Sequence, residues 1–419
     1  MPRIKIKKFE HSVLRVGEEG FSKLHFYQLV RLNEKHNNKY FFVGNNCIYF
    51  TQYVGVIQAG NLTLEVLPKA DVNGDDVNKW QRAFIEMLRE SRLLQINSPS
   101  YADLKFSNIS LIELFYETFL FEVEKLLRLG LVKKYRLIEN NGNVFKGRLL
   151  FSKNLKYNSF HAERFYIQQQ VYNKNNIYNQ ILKAALRILL KIIQNNALLD
   201  RVKNLLVELE YIDDVKITPK YFDNLVFDRK SSAYQRAILF SKMILLNYSP
   251  DIVGGQFNTL SLLFDMNELF ENYIFNIIKK AAYSSNNLDI NLKKQSSKKF
   301  WNDRKIRPDI IIELNSLRGA ERIIVDTKWK VLKQPLPSDT DLKQIYSYNL
   351  HFGARKSYLV YPKVFYSEKY FGNFYHSEAV KDEFKDHQCN LYFVDMFDGK
   401  FIKKNLGQII LKDLIGKFN

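Results

Sequence analysis

Cysteine is nearly absent from this 419-residue sequence. Cys47 and Cys389 are the only two, and neither lies in a spacing typical of metal ligands, so a structural zinc site is not expected. No run approaches the roughly 18 uninterrupted apolar residues that a membrane-spanning helix needs. Residues 2–8 are polar and basic, which is unlike a signal peptide. We therefore expect a cytoplasmic protein with reduced thiols and no membrane partner.

A complete nucleotide-binding motif is also missing. Residues 142–149 have the glycine spacing of a P-loop, but they lack the Lys-Ser/Thr pair that holds phosphates and Mg²⁺. The histidines form no ligand pair, and no Ser/His/Asp or Cys/His arrangement can be argued from the sequence. We therefore assign no NTPase activity to this chain.

Positive charge is in large excess. The chain has 63 Lys and Arg against 44 Asp and Glu, a formal net charge of +19. Such an excess attracts polyanions, of which nucleic acid is the commonest. The alternative is an AT-rich genome, which favours Lys and Asn codons and would explain pairs such as Asn140-Asn141. The 32 Phe and 25 Tyr permit large cores and argue against disorder.

The length predicts two or three domains. Residues 1–97 are expected to form a β-rich domain, 98–255 an α-rich middle domain and 256–419 an α/β domain. Breaks at residues 97–100 and 254–255 mark the expected boundaries. The predicted fold class is therefore α+β and multidomain.

Individual elements follow from periodicity and turn residues. Residues 1 to about 70 are expected to form strands, with turns at 44–46 and 60–61, followed by a helix that Asp75 or Asp76 caps. A short β segment is expected around Val144–Phe151. Helices are predicted at Leu111–Leu129, Tyr178–Gln194, Asp200–Leu209, Tyr234–Leu246, Asp265–Ala282 and Asp339–Leu350.

Two apolar β runs near the C-terminal end each carry a carboxylate. Asp309 stands at the start of the first run and Asp326 near the end of the second, and the two runs are expected to pair as a hairpin around Ser316–Gly319. Because these ends of an antiparallel pair meet, both aspartates should share one edge of a sheet. Lys328 lies two residues after Asp326 and should project to the same side.

This arrangement has a chemical rationale. Two carboxylates and the backbone carbonyl of Thr327 form a hard oxygen site suited to Mg²⁺. Such an ion acidifies a bound water and neutralises phosphate charge, and Lys328 could orient or deprotonate the attacking water. The spacing resembles the PD-(D/E)xK nuclease signature. The alternative, two solvated turn aspartates and an edge-strand lysine, is disfavoured because Asp326 follows three apolar residues.

Further residues extend the candidate site. The next helix carries Asp341, Gln344 and Tyr348 on one face, and the last two resemble a Gln-xxx-Tyr element found in several branches of this superfamily. A capped amphipathic helix is the alternative. Glu271 is a candidate additional carboxylate, unless it is a plain surface glutamate. Four lysines of a predicted loop are candidate phosphate contacts, with a solvated loop as the alternative: Lys293, Lys294, Lys298 and Lys299.

Several short motifs follow one another along most of the chain. They are residues 53–57, 64–69, 146–148, 179–183 and 269–271, and the set from Pro308 to Tyr348. In this order and spacing the chain resembles the McrC family, the nuclease subunits of McrBC-type restriction systems, in its longer form with an N-terminal β domain. The resemblance implies a Mg²⁺-dependent endonuclease that cuts double-stranded DNA containing modified cytosine.

The resemblance also implies partners. An McrB-like hexameric AAA+ GTPase would bind the GTP, dock on the N-terminal and middle regions of this chain, and be stimulated by it. Arg148 is a candidate for that stimulation, and a structural turn is the alternative. Nuclease domains of two chains are expected to pair so that both DNA strands are cut.

Two other functions are alternatives for this sequence. A stand-alone DNA repair or junction-resolving nuclease is disfavoured because roughly 250 residues precede the catalytic region, more than one typical domain. A non-catalytic assembly subunit of an AAA+ machine is disfavoured by the intact set of Asp309, Asp326 and Lys328.

Overall fold

The computed structural model describes residues 3–69, 76–94, 110–249, 258–284, 290–316, 319–332, 336–363, 370–375 and 387–416. The predicted breaks at 97–100 and 254–255 lie outside these residues. The chain divides into two compact units. Unit 1 contains residues 57–62 and 110–262, whereas unit 2 contains 3–56, 63–109 and 263–419. No helix in the described part of the chain combines the length and apolar character needed to cross a bilayer.

The N-terminal residues form a three-stranded sheet, three strands of a five-stranded sheet and two helices. Strands β2, β4 and β3 form a three-stranded sheet, and β1 pairs with β6, which pairs with β5. Both predicted turns are confirmed, since β3–β4 and β5–β6 are successive strands on either side of them. The elements are β1 (Ile4–Phe9), β2 (Val13–Arg15), α1 (Lys23–Lys35), β3 (Phe41–Gly44), β4 (Cys47–Phe50), β5 (Tyr53–Ala59), β6 (Leu62–Leu67) and α2 (Val77–Glu90).

Helix α1 corrects the expectation that residues 1 to about 70 form only strands. Ser22 caps the helix: its hydroxyl accepts from the backbone N–H of His25, whose Nδ1 accepts from the backbone N–H of Ser22. The helix buries Phe26, Leu29 and Leu32 at helical spacing. The residues between these three include Tyr27 and Val30, whose aromatic and β-branched side chains favour a strand and obscured the helical spacing. Helix α2 begins as predicted, because the Asp76 carboxylate accepts from the N–H groups of residues 78 and 79.

Unit 1 is rich in helices, as predicted. Helix α5 packs on α6 and α8, and α3 packs on the same two helices. The predicted helices are confirmed to within a few residues at each end. The elements are α3 (Leu111–Leu129), β7 (Lys134–Gly142), β8 (Arg148–Leu149), α4 (Phe151–Asn158), β9 (Phe165–Asn173), α5 (Ile177–Ile192), α6 (Asn196–Glu208), α7 (Pro219–Asp223), α8 (Gln235–Asn247), β10 (Tyr248–Ser249) and β11 (Thr259–Asp265), whose last residues belong to unit 2.

A three-stranded antiparallel sheet in unit 1, in the order β7-β9-β8, was predicted only at β8. Strands β7 and β9 pair along their whole length, from Lys134 opposite Asn173 to Gly142 opposite Phe165. Gly147 precedes β8 with a φ of +103°, and a Cβ there would collide with the backbone carbonyl of Gln168. The glycine is therefore required by the close approach of the two strands.

A buried polar network holds the helices of unit 1. The Asn179 amide donates to the backbone carbonyls of Val132 and Lys174, at 3.1 and 2.6 Å, and its oxygen accepts from the Tyr234 hydroxyl at 2.8 Å. Lys183, one turn on, donates to the carbonyl of Ile212. Part of the motif at residues 179–183 thus has a structural role.

The remaining residues of unit 2 form a six-stranded sheet with flanking helices. Its order is β12-β15-β16-β17-β19-β18, with β16, β17 and β19 parallel and the other pairs antiparallel. The elements are α9 (Met266–Ser284), β12 (Ile290–Lys294), β13 (Lys298–Trp301), β14 (Arg304–Ile306), β15 (Ile310–Ser316), β16 (Gly319–Thr327), α10 (Asp339–Phe352), β17 (Lys356–Pro362), β18 (Tyr370–Asn373), β19 (Gln388–Val394), β20 (Phe397–Asp398), β21 (Phe401–Ile402) and α11 (Leu406–Ile415).

This sheet and α10 share one core. Ile311, Ile324 and Leu359 project from the strands against Ile345 and Tyr348 of the helix. The predicted β15–β16 hairpin is confirmed, with Ser316 opposite Gly319 and Ile310 opposite Val325. On unit 2 as a whole, α2 packs against α9, and α9 packs against α11.

The division into two units differs from the three ranges 1–97, 98–255 and 256–419 expected from sequence. The N-terminal strands and α2 belong to the same unit as the C-terminal residues because they share buried contacts. The Trp80 ring lies 6.2 Å from the Trp329 ring, and the Trp329 indole N–H donates to Glu10 at 2.7 Å. As functional domains, the three ranges stay a prediction.

Candidate active site

The β15–β16 hairpin brings the two predicted aspartates to the same edge of the six-stranded sheet. Asp309 immediately precedes β15, and Asp326 is the penultimate residue of β16. The backbone N–H and the hydroxyl of Thr327 both donate to Oδ2 of Asp309, at 2.7 and 2.9 Å. Thr327 therefore fixes the orientation of the Asp309 carboxylate, a role that the sequence did not indicate.

Asp326 is only 1% exposed. Burial, together with the negative charge of Asp309, raises the pKa of Asp326 to about 7. Nζ of Lys328 opposes this shift from 2.6 Å away. A buried carboxyl in this setting ionises readily only when positive charge is close to it.

Lys328 follows β16 and its side chain reaches both Asp326 and α10. Its backbone N–H donates to the carbonyl of Val360 at 2.8 Å, which extends the β16–β17 pairing beyond β16. Its Nζ donates to Oε1 of Gln344 at 3.1 Å and lies 3.8 Å from Asp341. Burial lowers the pKa of Lys328, but the carboxylates, Asp326 first among them, outweigh burial and raise it. The amine is therefore held as a cation.

Gln344 and Tyr348 continue this network along one face of α10. The Gln344 amide donates to the Tyr348 hydroxyl at 2.8 Å, and that hydroxyl donates to the carbonyl of Arg307 at 3.0 Å. Burial and the charge of Asp326 raise the pKa of Tyr348, so its hydroxyl keeps its proton. The chain from Lys328 to Arg307 ties the helix to the residues just before Asp309.

Glu271 lies on α9 and is buried rather than on the surface. Burial and then the charge of Asp309 raise the pKa of Glu271. The side-chain amide of Gln295 donates to Glu271 at 2.9 Å, and the backbone N–H of the same Gln295 donates to the carbonyl of Asp309 at 2.9 Å. Gln295 thus links Glu271 to the edge that carries Asp309.

The donors that this sheet edge offers to a metal ion are oxygen atoms. The described residues contain no group of three or more His, Cys, Asp or Glu side chains arranged to hold a metal. The predicted set is smaller: the carboxylates of Asp309 and Asp326 with the carbonyl of Thr327. Mg²⁺ commonly binds one or two carboxylates and keeps several waters. A divalent cation would also offset the repulsion between two neighbouring carboxylates, one of them buried, so the residues fit the ion.

The four candidate lysines do not lie on one loop. Lys293 and Lys294 end β12, whereas Lys298 and Lys299 begin β13. Lys293 lies 2.7 Å from Glu313, and Lys294 lies 3.6 Å from Glu271. Lys298 donates to a backbone carbonyl at 2.7 Å. The sequence placed these residues in one group, but pairing in the sheet gives them different surroundings.

Two residues near the site were missed. Glu10 accepts from the Trp329 indole at 2.7 Å and from the backbone N–H of Lys69 at 2.9 Å, and burial raises the pKa of Glu10 to about 8. The Trp329 ring lies 5.1 Å from Phe270, which precedes Glu271. Glu10 therefore supports the residues that follow Lys328. No local pattern could have indicated a pair 319 positions apart.

Arg148, the candidate for stimulating a partner, lies exposed on β8 of unit 1, opposite Gln168. The structural turn weighed as the alternative is explained by its neighbour, Gly147, which has the positive φ. The turn thus accounts for Gly147, and the role of Arg148 stays a prediction.

Comparisons with known proteins come from sequence and from structure. A sequence model of the family described as "McrBC 5-methylcytosine restriction system component" matches residues 48–362. The type IV methyl-directed restriction enzyme EcoKMcrBC of Escherichia coli (strain K12) is 24% identical over 191 residues, which are 44% of this chain and 54% of that protein. This chain therefore spans about half the length of the curated relative it matches.

Among solved structures, this chain resembles one in a half-complex from a tetradecameric assembly of Thermococcus gammatolerans McrB AAA+ hexamers with bound McrC. The TM-score is 0.66 at 19% identity, covering 98% of this chain and 100% of that chain. A cryo-EM structure of the Thermococcus gammatolerans McrBC complex matches with a TM-score of 0.48 and 20% identity, covering 66% and 88% of the two chains. The first of these shows a shared fold.

Proposed function

Because this chain belongs to the family of McrBC 5-methylcytosine restriction system components, we propose that it is the metal-dependent DNA endonuclease subunit of such a system. The observation that carries the proposal is the meeting of Asp309, Asp326 and Lys328 at one sheet edge. The six-stranded sheet and α10 would then be a PD-(D/E)xK nuclease fold. The basic composition of the chain supports double-stranded DNA as its substrate.

A Mg²⁺ ion held by Asp309, Asp326 and the carbonyl of Thr327 would supply positive charge at the scissile phosphate and acidify a water ligand. Thr327 presets the Asp309 carboxylate through two hydrogen bonds. Even with Lys328 beside it, Asp326 has a pKa of about 7, so a divalent cation would further favour the ionised carboxylate. Glu271, which Gln295 links to Asp309, would add a further carboxylate to the site.

Lys328 would act as a hydrogen-bond donor to the phosphate rather than as a general base. Its raised pKa keeps three protons on Nζ, which suits stabilisation of the charge that develops on a phosphate oxygen. Gln344 holds that amine in place from one side, and Tyr348 holds Gln344. Substitutions of Gln344 or Tyr348 should therefore act through the position of Lys328.

The second part of the proposal is docking to an McrB-like AAA+ GTPase hexamer, which would bind the GTP. In support, unit 1 exposes large apolar side chains on strand β7 and on the segments that connect β7, β8 and β9, a feature typical of protein interaction surfaces. Arg148 is exposed on this sheet and remains the candidate for GTPase stimulation. The exposed apolar residues include Tyr135, Leu137, Val144, Phe145, Phe151 and Phe160.

The test is plasmid cleavage with Mg²⁺, using DNA with and without 5-methylcytosine, a partner GTPase and GTP. We expect cleavage of modified DNA only when partner and GTP are present. Asp326→Asn should lose cleavage by at least about a hundredfold yet still stimulate GTP hydrolysis. Asp398→Asn, an exposed aspartate on β20, makes the same chemical change and should cleave normally.

Each other outcome identifies a different function. Cleavage by the isolated chain would favour a stand-alone repair or junction-resolving nuclease. If the wild-type chain stimulates GTP hydrolysis by the partner but cleaves no DNA, a non-catalytic assembly subunit would be favoured. Cleavage that survives Asp326→Asn would mean that the active site lies elsewhere.

A further inference from the structure

Strands β13 and β14 form a separate two-stranded hairpin, here called the basic hairpin (residues 298–306). Lys298 pairs with Ile306, Lys299 with Lys305 and Trp301 with Arg304, with an irregularity between Lys299 and Trp301. Every residue of the hairpin except Ile306 is exposed. It forms no pairing with the six-stranded sheet in the described part of the chain. Something other than core burial must explain its composition.

One side of the hairpin rests on the C-terminal end of α10. Nζ of Lys298 donates to the carbonyl of His351 at 2.7 Å and lies 5.0 Å from the centre of the Phe352 ring. The Phe300 ring lies 5.3 Å from the His351 ring. The hairpin is thus anchored to the helix that also positions Gln344.

Other side chains of the hairpin point away from any partner. Lys299 lies directly opposite Lys305, an arrangement of like charges that destabilises a strand pair. Trp301 lies opposite Arg304 and is 63% exposed. Among the described residues, the side chains of these four make no hydrogen bond, ion pair or ring contact. The repulsion between the two lysines, which lie beside an exposed indole, would be offset by binding of an anionic surface.

The position of the hairpin indicates which surface this is. Only two residues, Arg307 and Pro308, separate Ile306 from Asp309. A fully extended chain spans at most about 3.6 Å per residue, so Ile306 and Asp309 lie within about 11 Å of each other. The Arg307 carbonyl is also held by Tyr348. Any DNA placed for cleavage at Asp309 would therefore pass beside the hairpin.

We propose that the basic hairpin binds the backbone of duplex DNA next to the cleaved phosphate, an inference that rests on the proposed nuclease function. Lys299, Arg304 and Lys305 contact phosphates, and Trp301 packs against the sugars at the groove wall. Between residues 298 and 307 the chain has five basic residues and one acidic residue, which matches DNA better than a protein surface. These contacts would position DNA without reading its sequence.

The test is equilibrium binding of the full chain to a short fluorescent duplex, with Ca²⁺ replacing Mg²⁺ and KCl varied. The double variant Lys299→Gln/Lys305→Gln should reduce the slope of log affinity against log salt by about two, one for each lost phosphate contact. The control Lys5→Gln/Lys412→Gln removes the same charge from exposed positions on β1 and α11 and should leave the slope unchanged.

Trp301→Ala provides an independent signature. It should weaken binding without changing the salt slope, because an apolar contact releases no counterions. Lys299, Lys305 and Trp301 are all exposed, so a melting temperature no lower than that of the wild type excludes misfolding of these variants. At saturating DNA these variants should cleave at the normal rate, with the loss confined to KM.

Wild-type affinity and slope in the double variant would overturn this inference, as would the absence of duplex binding by the wild-type chain at low salt. Loss of binding to a partner GTPase with intact DNA binding would also overturn it, by identifying the hairpin as a protein-docking surface. Failure of the nuclease proposal is seen separately. Asp326→Asn should bind DNA without cutting it, whereas persistent cutting by Asp326→Asn refutes the active site and leaves the binding result standing.

Discussion

The ionisation of Glu10 should make the stability of unit 2 depend on pH. Glu10 is buried against Trp329, and burial raises its pKa from 4.5 to about 8. The folded protein therefore keeps this proton up to about pH 8, whereas the unfolded chain releases it above about pH 4.5. Because the folded state binds more protons in this window, its stability is full below pH 4.5 and falls as the pH rises through 8.

The magnitude follows from the two pKa values. Each pH unit between them lowers the free energy of unfolding by up to about 1.4 kcal/mol, and the whole interval corresponds to roughly 5 kcal/mol. Glu10→Gln cannot ionise, yet it keeps an oxygen to accept from the Trp329 indole and the backbone N–H of Lys69. The variant should therefore gain stability relative to the wild type by roughly 3 kcal/mol between pH 5.5 and 7.5.

Urea unfolding, monitored by tryptophan fluorescence, measures the difference in the free energy of unfolding between the two proteins, and it reports on unit 2. The three tryptophans, Trp80, Trp301 and Trp329, all belong to unit 2. Other groups with raised pKa values, such as Asp326, affect the stability of the wild type and of Glu10→Gln equally, so their effects cancel in the comparison. Glu34→Gln, at an exposed position on α1, is the matched control and should show no such trend. A stability difference that stays constant from pH 5.5 to 7.5 would refute the reasoning.

Three further substitutions test the packing and the site. Gly147→Ala should destabilise unit 1 by more than about 1 kcal/mol, because its φ is positive and the Cβ has no space; an unchanged melting temperature by circular dichroism would contradict this. Asn179→Ala removes the acceptor of the Tyr234 hydroxyl and should cost about 2 kcal/mol in chemical unfolding, and a neutral result would mean that the network is dispensable. Tyr348→Phe should lower kcat for DNA cleavage with KM unchanged, and a change in KM alone would exclude the positioning role.

The candidate site could be predicted because its signals are local. The strands after Asp309 and before Asp326 are short apolar runs, and two such runs with a turn between them have one natural pairing. The face of α10 followed from helical spacing, and its burial of Asp341 and Tyr348 agrees with that spacing. The roles of these residues in catalysis stay predictions.

Other features could not be predicted because their causes are distant in sequence or contrary to usual patterns. The pairing of β7 with β9 joins strands rich in Gln and Asn, whose exposed faces give no hydrophobic alternation. The contact of Glu10 with Trp329 depends on the assembly of unit 2, and nothing near Glu10 indicates it. Local patterns therefore predicted the β15–β16 hairpin of the site but not the contact of Glu10 with Trp329.

The order of synthesis adds a consequence to the discontinuity of unit 2. Helix α2 leaves the ribosome long before α9, against which it packs, and Glu10 leaves long before Trp329, from which it accepts a hydrogen bond. Pairings between such distant segments form slowly, whereas the residues of unit 1 from 110 to 262 are contiguous and available earlier. Asp309 and Asp326 can meet only after most of the chain has been made. An interrupted translation product would thus carry the exposed sheet of unit 1 without the paired carboxylates on which the proposed nuclease activity depends.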